Sequence, residues 1–215
     1  MNIIVVAGRK GGCGKTTGAT NLAVWFASQG WSVAMLDTDP ERQAQMWHNL
    51  RLASDIAPKI HLEHVTGDVR RSILSISQEF DWVIVDTPGL DSLETKRAIA
   101  VATIAVFPFK TSIFDLKTLA LANMLAEEIK TFRPDAVALA YASETDTGQS
   151  GKADRASAKE TLVECKSLTL LEGFTAGRKA YRHCVNAGMG ITEWSDIKAA
   201  AEFDALATEI CSYGN

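Results

Sequence analysis

Short runs of Val, Ile and Leu recur along the chain, and the stretches between them carry apolar residues at helical spacing. The runs predict strands at residues 3–7, 33–37, 60–65, 82–86, 104–108 and 137–141. The intervening periodicity predicts helices at 15–28, 42–53, 69–80, 93–102, 116–132 and 153–165. Ile3-Ile4-Val5-Val6-Ala7 and Val83-Ile84-Val85 are apolar without alternation, the pattern of strands covered by helices on both faces. Strand and helix in regular succession predict a three-layer α/β domain with a central, mostly parallel sheet. After Cys165 the pattern weakens to an expected last strand at 168–171, a helix at 178–187 and a terminal helix at 195–211. There is no internal repeat, and the polar stretch 143–152 is short enough for a surface loop. Residues 1–215 therefore read as a single domain.

Composition agrees with that picture: 47% hydrophobic and 22% charged residues fit an ordinary soluble globular protein. The 22 Lys and Arg against 26 Asp and Glu exclude a wholly basic nucleic-acid coat and leave room for a local basic patch. The longest apolar stretch, 99–109, contains a Thr and a Pro and falls short of the roughly 18 to 20 residues that span a bilayer. The N-terminus shows no basic, apolar and cleavage-site succession, so the expected location is the cytoplasm. Cys13, Cys165, Cys184 and Cys211 form no CxxC pair and have no His at metal-ligand spacing. Reduced thiols are expected, the last three as small hydrophobes inside helices.

Chemistry enters where the first strand meets the first helix. With Gly14 as the second glycine of G-x-x-x-x-G-K-[ST], the first would fall at position 9, which is Arg. The segment matches instead the variant loop K-G-G-x-G-K-T-T, Lys10-Gly11-Gly12-Cys13-Gly14-Lys15-Thr16-Thr17. Its glycines let the chain curl until backbone N–H groups converge on phosphate oxygens. Lys15 then supplies a point charge to the β and γ phosphates, Thr16 a hydroxyl for Mg²⁺, and Thr17 stays within the first helical turn. The plainer alternative is a Gly-rich turn before a helix.

Two carboxylate segments stand at strand ends, where open α/β sheets collect ligands: Asp37-Thr38-Asp39-Pro40 and Asp86-Thr87-Pro88-Gly89. Asp86 follows an apolar run as a metal-holding Asp does, and Gly89 is placed to give a backbone N–H to the γ phosphate, so that the loop senses ATP against ADP. Either Asp taken alone also fits a simple turn cap.

Together these segments resemble the ParA/MinD class of P-loop ATPases with the deviant Walker A box. Lys10 to Thr17 is similar to its signature, Asp37 to Pro40 to its Walker A′ and switch I, and Asp86 to Gly89 to its Walker B and switch II. Pro108-Phe109-Lys110-Thr111-Ser112-Ile113-Phe114-Asp115-Leu116 is similar to the family's P-V-Q-P-S-P-x-D-L stretch. The resemblance implies that Lys10 reaches across an ATP-sandwich homodimer to the partner's phosphates and that Asp39 positions the attacking water. It also implies that Thr16, Asp86 and Asp39 make the Mg²⁺ set, and that Pro108 and Phe109 join the nucleotide site. Hydrolysis would then be phosphoryl transfer by positioning and charge stabilisation, with ATP and Mg²⁺ as cofactors. Departures stand at Thr111, where the family often has a second proline, at Glu41, where it has Gln, and at Ala142-Ser143, where an Asn-Arg pair commonly reads adenine.

Within this class the length resembles small plasmid-partition ATPases, which bind nonspecific DNA as ATP dimers and answer to a ParB-like or cargo adaptor that stimulates the ATPase. Nucleoid association in the ATP state follows from that resemblance. Arg178, Lys179 and Arg182 are the candidate phosphate contacts, the alternative being a solvated helix face; Lys152 and Arg155 are weaker candidates. The tail from Ala199 to Glu209 has no Lys or Arg, against a basic membrane anchor. No Cys lies between Cys13 and Cys165, which excludes an iron-sulfur relative. A metabolite enzyme resembling dethiobiotin synthetase or cobyrinic acid synthase, or a MinD-like positioning ATPase, is the competing reading.

Overall fold

The structure, a computed structural model, describes residues 1–8 and 11–214, without the side chains of residues 113–118, 132 and 161. Seven strands form one sheet: β1 (Asn2–Gly8), β2 (Val33–Asp37), β3 (His61–His64), β4 (Trp82–Gly89), β5 (Ile104–Phe109), β6 (Val137–Ala142) and β7 (Thr169–Leu170). Their spatial order is β3-β2-β4-β1-β5-β6-β7, and every pairing is parallel. The helices are α1 (Lys15–Ser28), α2 (Gln43–Ala53), α3 (Val69–Ile76), α4 (Leu93–Ile99), α5 (Ile113–Phe132), α6 (Gln149–Leu162), α7 (Lys179–Asn186) and α8 (Ile197–Cys211), with a 3₁₀ turn at Ile191–Glu193.

The unbroken apolar runs are explained by two cores. Ile3, Val5 and Ala7 of β1 pack into one, with Val83, Val85 and Phe107, while Ile4 and Val6 pack into the other, with Ile84 and Val106. Alternate side chains thus leave opposite faces of the sheet and both faces are covered, so no position in β1 faces solvent. Because β1 lies between β4 and β5, the chain turns to opposite sides of β1, and a crevice opens at the carboxyl ends of the central strands.

The main departures from expectation lie at element ends. Helix α3 stops at Ile76 and α4 at Ile99, where i→i−3 bonds such as Glu79 N–H to Ile76 and Ala102 N–H to Ile99 tighten the final turns. Residues 149–152, expected as loop, open α6. Gly151 there lies against the Asp146 carbonyl, which a Cβ would meet at 1.8 Å, so polarity alone misplaced that start. Cys165 lies beyond α6 rather than inside a helix, whereas Cys184 is buried in α7 and Cys211 ends α8; none of the four cysteines is in a disulfide among the described residues. No helix among the described residues is long and apolar enough to cross a membrane.

Candidate functional site

The loop from β1 to α1 folds back over the strand end: a Cβ on Gly8 would lie 2.7 Å from the Cys13 Sγ. Gly12 (φ 77°) and Gly14 (φ 90°) hold left-handed backbone that L side chains disfavour. Gly14 is the N-cap of α1, with no side chain capping it and no acid in the first turn. The positive end of α1 is therefore left for an anion. The Ser143 hydroxyl, at the end of β6, donates to the Cys13 carbonyl at 2.8 Å and ties the loop to the sheet. Behind the loop, Thr20 Oγ1 donates to the Thr16 carbonyl and Asn21 Nδ2 to that of Thr17. Lys15, Thr16, Thr17 and the three loop glycines thus stand where the sequence placed them; Lys10 lies outside the described residues.

The two carboxylate segments meet beside this loop. Asp37 and Asp86 are register partners on β2 and β4, and Val6 of β1 stands opposite Asp86 on the other side. Backbone and hydroxyl of Thr38 both donate to the Asp86 carbonyl, at 3.0 and 2.9 Å, and the Thr87 hydroxyl donates to that of Val6. Asp37 is consumed by structure, since its carboxylate accepts the N–H of Asp39 and of Gln45, each at 3.0 Å. Burial raises its pKa, against the pull of those two bonds. Asp39 is half-buried and its Oδ1 accepts from Glu41 N–H.

Asp86 is fully buried, and neither carboxylate oxygen has a hydrogen-bond partner of good geometry among the described residues. Burial pushes its carboxyl up to about 7; the Thr16 hydroxyl and Lys15 pull it down, while Asp37 and Asp39 add to the rise. A buried, unpartnered carboxylate beside a threonine hydroxyl fits a hard divalent cation. Among the described residues no group of three or more His, Cys, Asp and Glu gathers into a cage. One carboxylate beside one hydroxyl is a donor set that Mg²⁺ takes together with substrate phosphates.

A cleft of about 600 Å³ opens from the start of α1. Gly14, Thr17 and Gly18 form one wall, and Thr175 with residues of α7 the other. A Cβ on Gly18 would lie 2.7 Å from the Tyr141 hydroxyl, so a glycine is needed for the helix to approach β6. Burial pushes the Tyr141 and Tyr181 phenols far above their usual range. Pro108 and Phe109 do not line this cleft: both are buried in β5, and Phe109 packs in the core on the other face of the sheet. Lys110 just beyond them pairs with Glu144 at the cleft's edge, at 2.9 Å. Gly89 is half-buried at the end of β4, opposite Gly8.

The three basic residues expected at a DNA surface also line the cleft, but they are not equivalent. Arg178 is bonded to both carboxylate oxygens of Glu202 and its charge is neutralised there; Lys179 and Arg182 are exposed. Ser143, singled out in the sequence only as a departure from an Asn-Arg pair, is the residue that ties the loop to the sheet. Its position just after an apolar strand was the available signal.

Residues 4–199 match the family described as the CobQ/CobB/MinD/ParA nucleotide binding domain, and the chain belongs to that family. It is 24% identical over 212 residues to maintenance of carboxysome distribution protein A of Halothiobacillus neapolitanus, covering 96% of this chain and 95% of that one. To Protein ParA of Rhizobium radiobacter it is 35% identical over 117 residues, 54% of this chain and 51% of that protein, so this match spans about half of ParA's length. Among solved structures, MinD of Aquifex aeolicus superimposes with a TM-score of 0.78 at 16% identity, covering 99% of this chain and 97% of that one. An ATP complex of Cyanothece McdA gives 0.76 at 16% identity, covering 99% and 96%.

Proposed function

We propose that this chain is an ATP-hydrolysing ParA-type protein that forms an ATP-sandwich homodimer, binds nonspecific DNA and positions or segregates a cargo through an adaptor. The observation that carries the reading is the unpartnered Asp86 carboxylate beside an uncapped α1 N-terminus. The triphosphate lies on the N–H groups of Gly11 to Thr17, with the nucleoside in the cleft beyond Gly14. Lys15 sets a cation against the β and γ phosphates, and Asp39 orients the attacking water. The Thr16 hydroxyl and Asp86, with Asp39, would hold Mg²⁺, whose charge would offset that of the phosphates. Lys10 acts on the partner's nucleotide, Gly89 follows the γ phosphate, and Lys179 and Arg182 meet DNA phosphates. Relatives named for carboxysome distribution and for ParA support positioning or partition as the class of role.

The test is turnover of ATP with Mg²⁺, alone, with duplex DNA, and with small carboxylic acids. Hydrolysis that survives without an organic co-substrate, together with DNA binding that requires ATP, supports the reading. Turnover that appears only with a carboxylic acid replaces it with the metabolite enzyme.

A further inference from the structure

The sequence between α1 and β3 hides a buried cation that the nucleotide site does not use. Arg51 of α2 has its side chain 1% exposed, and all five of its N–H groups are placed on acceptors. Nε and Nη2 donate to the Pro58 carbonyl, Nη1 to the Gly188 carbonyl, and Nη1 and Nη2 to the two oxygens of Glu193, each at 2.8 Å. One turn earlier, Trp47 Nε1 donates to the Met189 carbonyl. The Gly188 backbone (φ 70°) lies so close to α2 that a Cβ there would meet the Arg51 nitrogen at 2.4 Å. Helix α2 and the turn after α7 therefore move as one body.

Each end of that body reaches the site. Val185 and Asn186, the last residues of α7 before this turn, line the cleft. At the other end, α2 starts on Arg42, a non-glycine residue in left-handed backbone (φ 54°), whose N–H donates to the Asp39 carbonyl. The Gln45 N–H, in the first turn of α2, and the Asp39 N–H share the Asp37 carboxylate. Asn21 adds a link to the phosphate loop's helix, accepting from Ile191 N–H and donating to the Thr17 carbonyl.

We infer that Arg51, with Glu193, is a positioning residue that couples occupancy of the nucleoside cleft to the placement of Asp39. The inference rests on the ATPase reading above. The base presses on the α7 wall, the clamped turn carries that contact to α2, and α2 sets Asp39. The triphosphate alone reaches the phosphate loop without engaging this lever.

The experiment compares saturating ATP with saturating inorganic triphosphate, each with Mg²⁺, in the wild type, Glu193→Gln, Trp47→Phe and the apolar replacement Arg51→Met with Glu193→Leu. The wild type is expected to turn over ATP at least about tenfold faster than triphosphate, since small misplacements of a reacting group cost that much. In Glu193→Gln and the double variant, kcat for ATP falls to the triphosphate rate, the triphosphate rate stays within about twofold, and the Kd for ATP within about threefold. Trp47→Phe, which keeps the packed ring and loses one hydrogen bond, gives a partial fall. A merely structural role would lower both rates together. Any of these variants that melts cooperatively and keeps the full ATP-to-triphosphate ratio overturns the coupling, as do equal rates in the wild type. A wild type that binds and hydrolyses no ATP overturns the ATPase reading, and this inference with it.

Discussion

Asp37 and Asp86 face each other across the neighbouring strands β2 and β4, yet their carboxylates have opposite fates. Asp37 accepts two backbone N–H groups that fix Asp39 and the first turn of α2. Asp86, equally buried, accepts nothing of good geometry among the described residues. One carboxylate holds the loop, and its neighbour lies buried beside the Thr16 hydroxyl and Lys15.

This division predicts opposite outcomes for the same substitution. Asp37→Asn weakens two charge-assisted bonds and is expected to cost about 1–3 kcal/mol of stability. Asp86→Asn removes a buried charge whose desolvation outweighs the help of Thr16 and Lys15, so the protein without nucleotide should melt no lower than wild type at pH 8, while Mg²⁺-dependent turnover falls by at least about 10²-fold. Thermal melts with ATPase assays check both. An Asp86→Asn protein that loses stability and keeps turnover would contradict the assignment.

Ser143→Ala tests the tether of the phosphate loop. The hydroxyl's bond to the Cys13 carbonyl is buried, so its loss should cost about 1–3 kcal/mol and loosen the loop that binds phosphate. Calorimetry is expected to show nucleotide affinity reduced by about tenfold, most of it in the phosphate contribution and hence shared by ATP and triphosphate.

Lys15→Ala and Asp39→Ala separate binding from chemistry. Lys15 belongs to the loop that cradles the phosphates, so its loss should remove detectable ATP binding by calorimetry. Asp39 already has its backbone N–H held by Asp37, so removing its carboxylate leaves the switch anchored. Asp39→Ala should bind ATP within about threefold of wild type and hydrolyse it at least about 10²-fold more slowly. Wild-type turnover in Asp39→Ala would end its assignment as the water-positioning group.

The inner strands β1, β2, β4, β5 and β6 were legible because their apolar runs are buried on both faces, and the phosphate loop because its glycines and lysine form a contiguous pattern. What the sequence hid was set by distant partners. Asp37-Thr38 and Asp86-Thr87 look alike along the chain, and the Gln45 N–H that distinguishes them arrives only when α2 folds back. Arg51 reads as a surface residue among His48, Asn49 and Ala53, since its acceptors lie as far away as Glu193. The 3₁₀ turn at Ile191–Glu193 was missed for the same reason: its Ile191 N–H is satisfied by Asn21 of α1 rather than by a local pattern. Pro108 and Phe109, which the resemblance along the chain set in the nucleotide site, have side chains that the sheet buries, and that burial too depends on partners distant in the chain.

The DNA surface gives the last prediction, with the Arg178–Glu202 pair setting its terms. Arg178 and Glu202 are only 21% and 17% exposed, and the pair also braces the Ala176 N–H, so this arginine serves the fold of the α7 entry. Lys179 and Arg182 remain as exposed cations, which would meet about four phosphates in the proposed dimer, and removing each cation–phosphate pair should flatten the plot of log affinity against log salt by about 0.9. Lys179→Ala with Arg182→Ala is therefore expected to reduce the slope by about 3 to 4. Adding Arg178→Ala should change the slope by less than about 1, because a neutralised guanidinium releases few counterions, but it should lower stability by at least about 1 kcal/mol through the unpaired Glu202. Binding to duplex DNA across a salt series measures the slopes, and a thermal melt measures the stability. An Arg178→Ala effect on slope as large as that of Lys179→Ala would show that the Glu202 pair opens to meet DNA, and an unchanged slope in the Lys179 and Arg182 double variant would move the surface away from α7.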